Sequence, residues 1–185
     1  LRITFLKQLV ESTGPEKILL ICTSLEKTLE IEKALKQIIN VKVAQFNEKM
    51  SLLQRDRNAA WFSEKNGAKL MICSEIGSEG RNFQFANHLV LFDLPLNPEL
   101  LEQRIGRLDR IGQTRDIQIH IPFIKGSSQE ILVTWYSAGI DMFTNNISGL
   151  HHIFKKFLPD LKELIEYSLS GKGISYKRLD KFITA

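Results

Sequence analysis

The chain has few of the residues that build metal centres or covalent cross-links. Its 185 residues include only two cysteines, Cys22 and Cys73, and each lies inside an apolar run. Neither belongs to a CxxC pair, no HExxH motif occurs, and the adjacent His151 and His152 would point to different sides of a helix. We therefore expect no metal site, and we interpret both cysteines as buried, reduced thiols.

Long apolar segments are also missing. No stretch approaches the roughly 18 apolar residues that a membrane-spanning helix needs, and no signal peptide opens the chain. Hydrophobic residues still make up 43% of the sequence, enough to bury a core, and the net charge is +4. The composition predicts a folded intracellular domain with no membrane partner, and the charge permits an anionic partner without requiring one.

Short apolar runs alternate with helical patterns along the first two thirds of the chain. Strands are predicted over 17–23, 41–46, 68–74, 88–94 and 116–123. Helices are predicted over 24–38, 51–64 and 98–111. Such alternation predicts a mostly parallel sheet covered by helices on both faces.

The pattern changes near Gly126, after which only helical segments occur. Pro159 lies inside the last long one, which predicts either two helices or one kinked helix. The sequence therefore predicts a sheet-containing domain over 1–126 and a helical extension over 127–185, which packs on that domain or leads to a further one.

The stretch "LEQRIGRLDRIGQ" at 101–113 places three arginines, Arg104, Arg107 and Arg110, at three-residue intervals on the predicted helix. On a helical wheel its leucines and isoleucine form a buried stripe, and Arg107 and Arg110 lie on the flank. By itself this pattern also fits an ordinary amphipathic helix with solvated arginines.

A second stretch, "CSEIGSEGRNFQ" at 73–84, follows a predicted buried strand. It therefore lies at the carboxyl end of that strand, where open α/β sheets bind ligands. Ser74, Gly80 and Asn82 offer a hydroxyl, exposed backbone N–H groups and an amide, which suit phosphate or ribose contacts. A glycine-containing loop alone is weak evidence, since most such loops are simply tight turns.

Together the two stretches resemble motifs V and VI in the second RecA-like lobe of superfamily 2 helicases and translocases. Motif VI reads approximately Q-x-x-G-R-x-x-R, and residues 103–110 match it. The continuation Ile111-Gly112-Gln113 is typical of the Swi/Snf branch. Within that branch, about residues 17–146 most resemble the bacterial RNA polymerase-associated ATPases of the RapA (HepA) type. Gly106 stands where many Swi/Snf members have aspartate, which disfavours a chromatin remodeller.

The resemblance implies a RecA-like three-layer α/β/α lobe and a role for each motif residue. ATP would lie between this lobe and a first RecA-like lobe of the same polypeptide, which would hold Mg²⁺. Arg107 and Arg110 would be arginine fingers that stabilise charge on the γ-phosphate. The implied nucleotide-side residues are Gly80, Asn82, Gln103 and Arg104.

The resemblance also implies partners: double-stranded DNA or another nucleic acid, and RNA polymerase, in the bacterial cytoplasm. Thr23, Ser24 and Ser74 match positions that contact nucleic-acid phosphates in the family. Each of these hydroxyls could equally be a helix cap.

The chain lacks the motifs that would complete an ATPase. No GxxxxGK[ST] sequence and no DExx box occur, and in the nearest candidate, "SGKGIS" at 170–175, the lysine is followed by glycine. We therefore expect the isolated chain to be inactive and a P-loop lobe to lie upstream. Two alternatives stay open at this point: an RNA helicase lobe, and a non-catalytic domain that binds RNA polymerase.

Overall fold

A parallel sheet organises the first part of the chain. The computed structural model describes residues 1–75, 82–145, 147 and 149–184. The chain divides into two compact units: 1–93 with 104–122, and 94–103 with 123 onward. The domain boundary near Gly126 stays a prediction.

The described residues of the first unit form one sheet of five parallel strands. These are β1 (Ile18–Cys22), β2 (Val43–Phe46), β3 (Leu70–Ser74), β4 (His88–Leu91) and β5 (Gln118–His120). Their order is β2-β3-β1-β4-β5. Each predicted strand contains one observed strand. Every residue of β1 and β3 is buried, as expected for central strands that are covered on both faces.

Two helices cover one face of the sheet. They are α1 (Arg2–Ser12) and α2 (Leu25–Lys36). Leu20 of β1 shares an apolar cluster with Leu6 of α1 and Leu35 of α2. Burial of such apolar surface contributes about 25 cal/mol per Å², and this cluster is therefore a main source of stability in the first unit.

The helix α3 (Leu52–Ser63) covers the opposite face. The ring of its Phe62 lies 6.0 Å from that of Phe83, which lies 5.9 Å from Phe46 of β2. Phe46 must point away from α2, because the amide of the preceding Gln45 bonds to α2 and successive strand residues alternate in direction. The predicted three-layer arrangement of helices and sheet is confirmed.

The second unit is helical and has an aromatic core. Its helices are α4 (Pro98–Ile105, whose last two residues belong to the first unit), α5 (Ser128–Thr134), α6 (Leu150–Tyr167) and α7 (Tyr176–Ile183). A π-helical turn, Trp135–Gly139, continues α5. The ring of Trp135 is buried and lies 6.4 Å from both Phe154 of α6 and Phe182 of α7. Across the described part of the chain, no helix is long and apolar enough to cross a membrane.

Two predictions about helices need correction. The helix predicted over 98–111 ends at Ile105, and residues 106–108 form a turn. Of the two alternatives predicted around Pro159, the one with two helices is wrong, since α6 runs through this residue as one helix, and the kink stays a prediction. The proline costs α6 one backbone hydrogen bond, and the burial of Leu161 and Leu164 after it offsets that loss.

Cationic side chains fasten the loops at the amino edge of the sheet. Lys17 is 8% exposed, and its amine donates to the carbonyls of Glu64 (2.6 Å) and Ala68 (2.7 Å). The amine of Lys69 donates to the hydroxyl of Thr13 at 2.7 Å and to the carbonyl of Gly14 at 2.8 Å. Burial lowers the pKa of both lysines. Their hydrogen bonds therefore satisfy carbonyls where α3 and α1 end.

The same edge holds a chain of titratable groups. Nε2 of the buried His88 lies 2.6 Å from a carboxylate oxygen of Glu16, and its Nδ1 lies 3.0 Å from Nε2 of His120. The carboxylate can only accept, so a neutral His88 carries its hydrogen at Nε2 and accepts at Nδ1 from His120. The hydrogen bond from His88 lowers the pKa of Glu16, and burial together with the neighbouring His88 lowers the pKa of His120.

These shifts predict that acid destabilises the fold in two steps. When folding lowers the pKa of a group, the unfolded chain binds a proton there more readily than the folded chain does. The group therefore contributes fully to the free energy of unfolding above its ordinary pKa, and this contribution is lost as the pH falls through its pKa in the folded chain. The loss should begin near pH 6.5 for His120 and near pH 4.5 for Glu16. Urea denaturation between about pH 2.5 and pH 8 measures how the free energy of unfolding changes with pH, and this range includes the window below pH 4.5 in which Glu16 acts. His120→Gln should reduce the pH dependence of the free energy of unfolding near pH 6.5, and Glu16→Gln should reduce it below pH 4.5. A pH dependence equal to that of the wild type in both variants would contradict this account.

Candidate functional site

Three strands of the sheet end at one edge and deliver polar residues there. β1, β3 and β4 are parallel neighbours, so the residues that follow them emerge side by side. Thr23 follows β1, Glu75 follows β3, and Asp93 lies two residues beyond β4. This carboxyl edge is where the two motif stretches meet.

Asp93 gathers several donors at this edge. It is 4% exposed, and its Oδ2 accepts from the backbone N–H and the hydroxyl of Thr23, both at 3.3 Å. The amine of Lys27 lies 3.0 Å from the same oxygen, and Nη1 of Arg104 lies 3.6 Å from Oδ1. A buried carboxylate is tolerated only with such compensation.

Arg104 is the centre of the carboxyl edge and is 1% exposed. Its Nε donates to one carboxylate oxygen of Glu75 at 2.8 Å, and its Nη2 donates to the other. Its Nη1 donates to the backbone carbonyl of Asp93 at 2.5 Å. The planar fork of arginine makes this two-point grip possible, and lysine could not reproduce it. One guanidinium therefore ties the end of β3 to the end of β4.

The segment after α4 departs from the helical-wheel prediction. In a continuing helix the carbonyl of Arg107 would accept from the N–H of Ile111. It accepts instead from the N–H of Phe83 at 2.9 Å, and the N–H of Leu108 bonds back to Ile105 at 3.0 Å. Arg107 consequently does not lie on a helix flank. It is 7% exposed, so the prediction of an outward-pointing helical side chain is wrong.

Arg110 lies on the surface, as expected. The residue is exposed, and its Nε donates to the backbone carbonyl of Gly106 at 2.7 Å. Asn82 is also exposed, and its side-chain oxygen accepts from the N–H of Gln84 at 3.1 Å. Gln103 is exposed on α4. Gly80 lies outside the described residues.

The three hydroxyls predicted to contact nucleic acid have different surroundings. Ser24 caps α2 by accepting from the N–H of Lys27, and Thr23 bonds to Asp93. Ser74 is 1% exposed, and its hydroxyl donates to the carboxylate of Glu48. The cap reading therefore holds for Ser24. Contact with nucleic acid stays a prediction for all three.

Sequence reasoning missed the two carboxylates that hold Arg104. Glu75 and Asp93 belong to no motif residue set, and either could have been taken for a solvated surface charge. A signal was available, because each is a charged residue directly beyond a buried apolar run, at the edge where strands converge. Which arginine they bind could be seen only in the folded chain.

The two cysteines lie at the ends of the strands that reach this edge, and their thiols are unreactive. Cys22 and Cys73 are free and fully buried. Burial raises the pKa of Cys22 to about 12 and raises that of Cys73 as well, so neither thiol forms a thiolate near neutral pH. The interpretation as buried, reduced thiols is confirmed. Within the described residues, no group of three or more His, Cys, Asp or Glu side chains could hold a metal ion.

Comparison with known families assigns about the first three fifths of the chain to one family. Residues 1–112 match the family described as the helicase conserved C-terminal domain. The chain belongs to this family. Residues 116–185 match the family described as RNA polymerase recycling family C-terminal.

Solved structures share the fold at low sequence identity. The C-terminal part of the Fun30 ATPase domain has a TM-score of 0.64 at 21% identity, over 98% of this chain and 51% of that one. The Sulfolobus solfataricus SWI2/SNF2 ATPase core, solved in complex with dsDNA, has a TM-score of 0.64 at 24% identity, over 89% and 35%. The E. coli DEAD-box protein SrmB, bound to RraA, has a TM-score of 0.58 at 17% identity, over 68% and 71%. The chain spans about half of the Fun30 fragment and about a third of the Sulfolobus core.

These matches confirm the resemblance inferred from the two motifs. The first unit is a RecA-like helicase C-terminal lobe, and the polymerase-recycling match follows it in the same chain. The recognition of a RecA-like helicase C-terminal lobe is therefore confirmed, and a match to the polymerase-recycling family follows it, as the resemblance to the RapA type implied. Membership of the Swi/Snf branch stays a prediction.

The burial of Arg104 predicts a large stability effect. Arg104→Ala should lower the free energy of unfolding by about 3–5 kcal/mol, because it removes a buried cation that binds Glu75 and the backbone carbonyl of Asp93. Arg110→Ala, at an exposed position of the same segment, should stay within about 0.5 kcal/mol of the wild type. Urea denaturation of the isolated chain measures both. A loss below about 1 kcal/mol in Arg104→Ala would contradict the role given to this ion pair.

Proposed function

We propose that the chain is the C-terminal motor lobe of an ATP-dependent Swi/Snf-type nucleic-acid translocase that acts with RNA polymerase. The observation that carries this proposal is the carboxyl edge, where Arg104 holds the Arg107–Arg110 segment against the ends of β3 and β4. A segment fixed in this way can present cations to a polyphosphate without reorganising, which is the requirement for transition-state stabilisation.

The edge residues fit part of an ATP site. Arg110 offers an exposed cation and Asn82 an exposed amide, and both are suited to the phosphates or the sugar. Gln103 stays a separate proposed contact on the nucleotide side. The carboxylates at the edge are engaged with Arg104, so they do not oppose an anion. The lysine of a P-loop and the ligands of Mg²⁺ must come from another lobe, because this sequence has no GxxxxGK[ST] motif.

In this proposal Arg107 and Arg110 are the arginine fingers. As ATP is cleaved, charge grows on the γ-phosphate oxygens, and guanidinium groups brought against them lower the barrier. Arg104 contributes by holding the segment and not by touching the nucleotide, since its donors bond to Glu75 and Asp93. Gly80 stays a proposed contact on the nucleotide side.

Double-stranded nucleic acid is the proposed track and RNA polymerase the proposed partner. The first is supported by the SWI2/SNF2 core that was solved with dsDNA, and the second by the polymerase-recycling match at residues 116–185. Thr23, Ser24 and Ser74 stay proposed phosphate contacts. The proposed setting is the bacterial cytoplasm, where such a polymerase works.

The finger role predicts a selective loss of turnover. In a two-lobe protein in which a P-loop lobe precedes this chain, Arg110→Ala should lower kcat for ATP about a thousandfold or more. ATP binding, measured by fluorescent-nucleotide titration, should change little, because a finger acts mainly in the transition state. Arg57→Ala is the matched control, since Arg57 is also exposed but lies on α3. Turnover near that of the control would refute the finger role.

The translocase proposal predicts how nucleic acid affects the two-lobe protein. Double-stranded DNA should raise the ATPase rate, and a labelled duplex should stay paired during hydrolysis. The rate should fall steeply with added salt, because phosphate contacts release counterions. Strand displacement with stimulation by RNA would favour the RNA helicase alternative. ATP turnover that is absent with every nucleic acid, alongside retained binding to RNA polymerase, would favour the non-catalytic alternative.

A further inference from the structure

The side-chain amide of Gln113 is saturated with hydrogen bonds. Its Nε2 donates to the backbone carbonyls of Gln84 and Ala86, both at 3.0 Å, and reaches that of Leu108 at 3.4 Å. Its Oε1 accepts from the backbone N–H groups of the next two residues, both at 3.1 Å. The opposite orientation of the amide would set its oxygen against three carbonyls, so the contacts determine which end is which.

The partners of Gln113 flank the backbone bond that holds Arg107. That bond runs from the N–H of Phe83 to the carbonyl of Arg107. Gln84 follows Phe83 in the chain and Leu108 follows Arg107, so one amide bridges both sides of the junction. Phe83 is 1% exposed among aromatic rings on the α3 face, which makes its segment a rigid support.

We propose that Gln113 is a positioning residue that locks the Arg107 segment onto the Phe83 segment. The proposal rests on the function proposed above, in which Arg107 is an arginine finger. A finger must be held close to its productive position, and displacement by about 1 Å can cost a hundredfold in rate. Gln113 reaches the junction through the turn at Gly112, whose φ of +101° suits glycine and strains other residues.

The chemistry of the junction requires both halves of an amide. Glutamate at 113 would keep an acceptor for the two N–H groups but would turn a negatively charged oxygen toward three carbonyls. Leucine of similar size would offer neither donor nor acceptor. The variants Gln113→Glu and Gln113→Leu therefore separate the donor half from the acceptor half.

The structural arm of the test uses the isolated chain and residue-resolved amide hydrogen exchange. In Gln113→Glu the amide of Phe83 should exchange about tenfold faster, while the amides of β1 and β3 keep their protection. In Gln113→Leu the backbone amides of Thr114 and Arg115 should also exchange faster, because they lose their acceptor. The control is Gln118→Glu, which makes the same chemical change on the exposed strand β5 and should leave Phe83 unaffected.

The kinetic arm uses the two-lobe protein. Gln113→Glu should lower kcat for ATP by about tenfold to a hundredfold with KM changed less than about twofold, because the finger is misplaced while the nucleotide still binds. Gln118→Glu should match the wild type. A loss that appeared only as an increase in KM would assign Gln113 to nucleotide binding and overturn the positioning role.

The two arms separate failure of the inference from failure of the proposed function. Unchanged exchange at Phe83 in Gln113→Glu overturns the lock, whatever the kinetics show. Faster exchange with a kcat equal to that of Gln118→Glu shows a lock that does not position the finger, and it also overturns the inference. If Arg110→Ala leaves turnover intact, the proposed function fails, and the exchange result still decides whether the lock exists.

Discussion

The buried guanidinium of Arg104 is the interaction on which the functional edge depends. It lies at 1% exposure between the carboxylate of Glu75 and the backbone carbonyl of Asp93, so it joins two strands that have no other polar tie at their ends among the described contacts. A charge this deep is stable only while its partners stay in place, because desolvation would otherwise cost several kcal/mol. The Arg107 segment begins three residues later in the chain, so its position depends on the contacts that hold Arg104.

The two edges of the sheet use buried cations in different ways. At the amino edge, Lys17 and Lys69 bond chiefly to carbonyls, which satisfies helix ends. At the carboxyl edge, Arg104 bonds to carboxylates, and Arg110 is exposed. The contacts at the amino edge satisfy backbone carbonyls, whereas the carboxyl edge keeps an exposed arginine.

Much of the fold could be predicted from the sequence because it follows from local pattern. The apolar runs of β1 and β3 and the cap at Ser24 depend on neighbouring residues, and all three appear in the structure as expected. The two motifs likewise indicated the family. The same reasoning failed at Arg107, because a helical wheel assumes that the helix continues past Ile105. The carbonyl of Arg107 accepts a tertiary hydrogen bond from Phe83 instead of a helical one.

The sequence by itself determined the order of the five strands along the chain, the buried character of the central strands and the identity of the motif residues. Only the tertiary structure decided that Arg104 is an internal tie, that Arg107 is largely buried, and that Gln113 bridges the Phe83 and Arg107 segments, which are about 24 residues apart in the chain. The physical reason is that hydrophobic periodicity is local, whereas the pairing of a buried polar group depends on which distant groups the fold brings within about 3 Å.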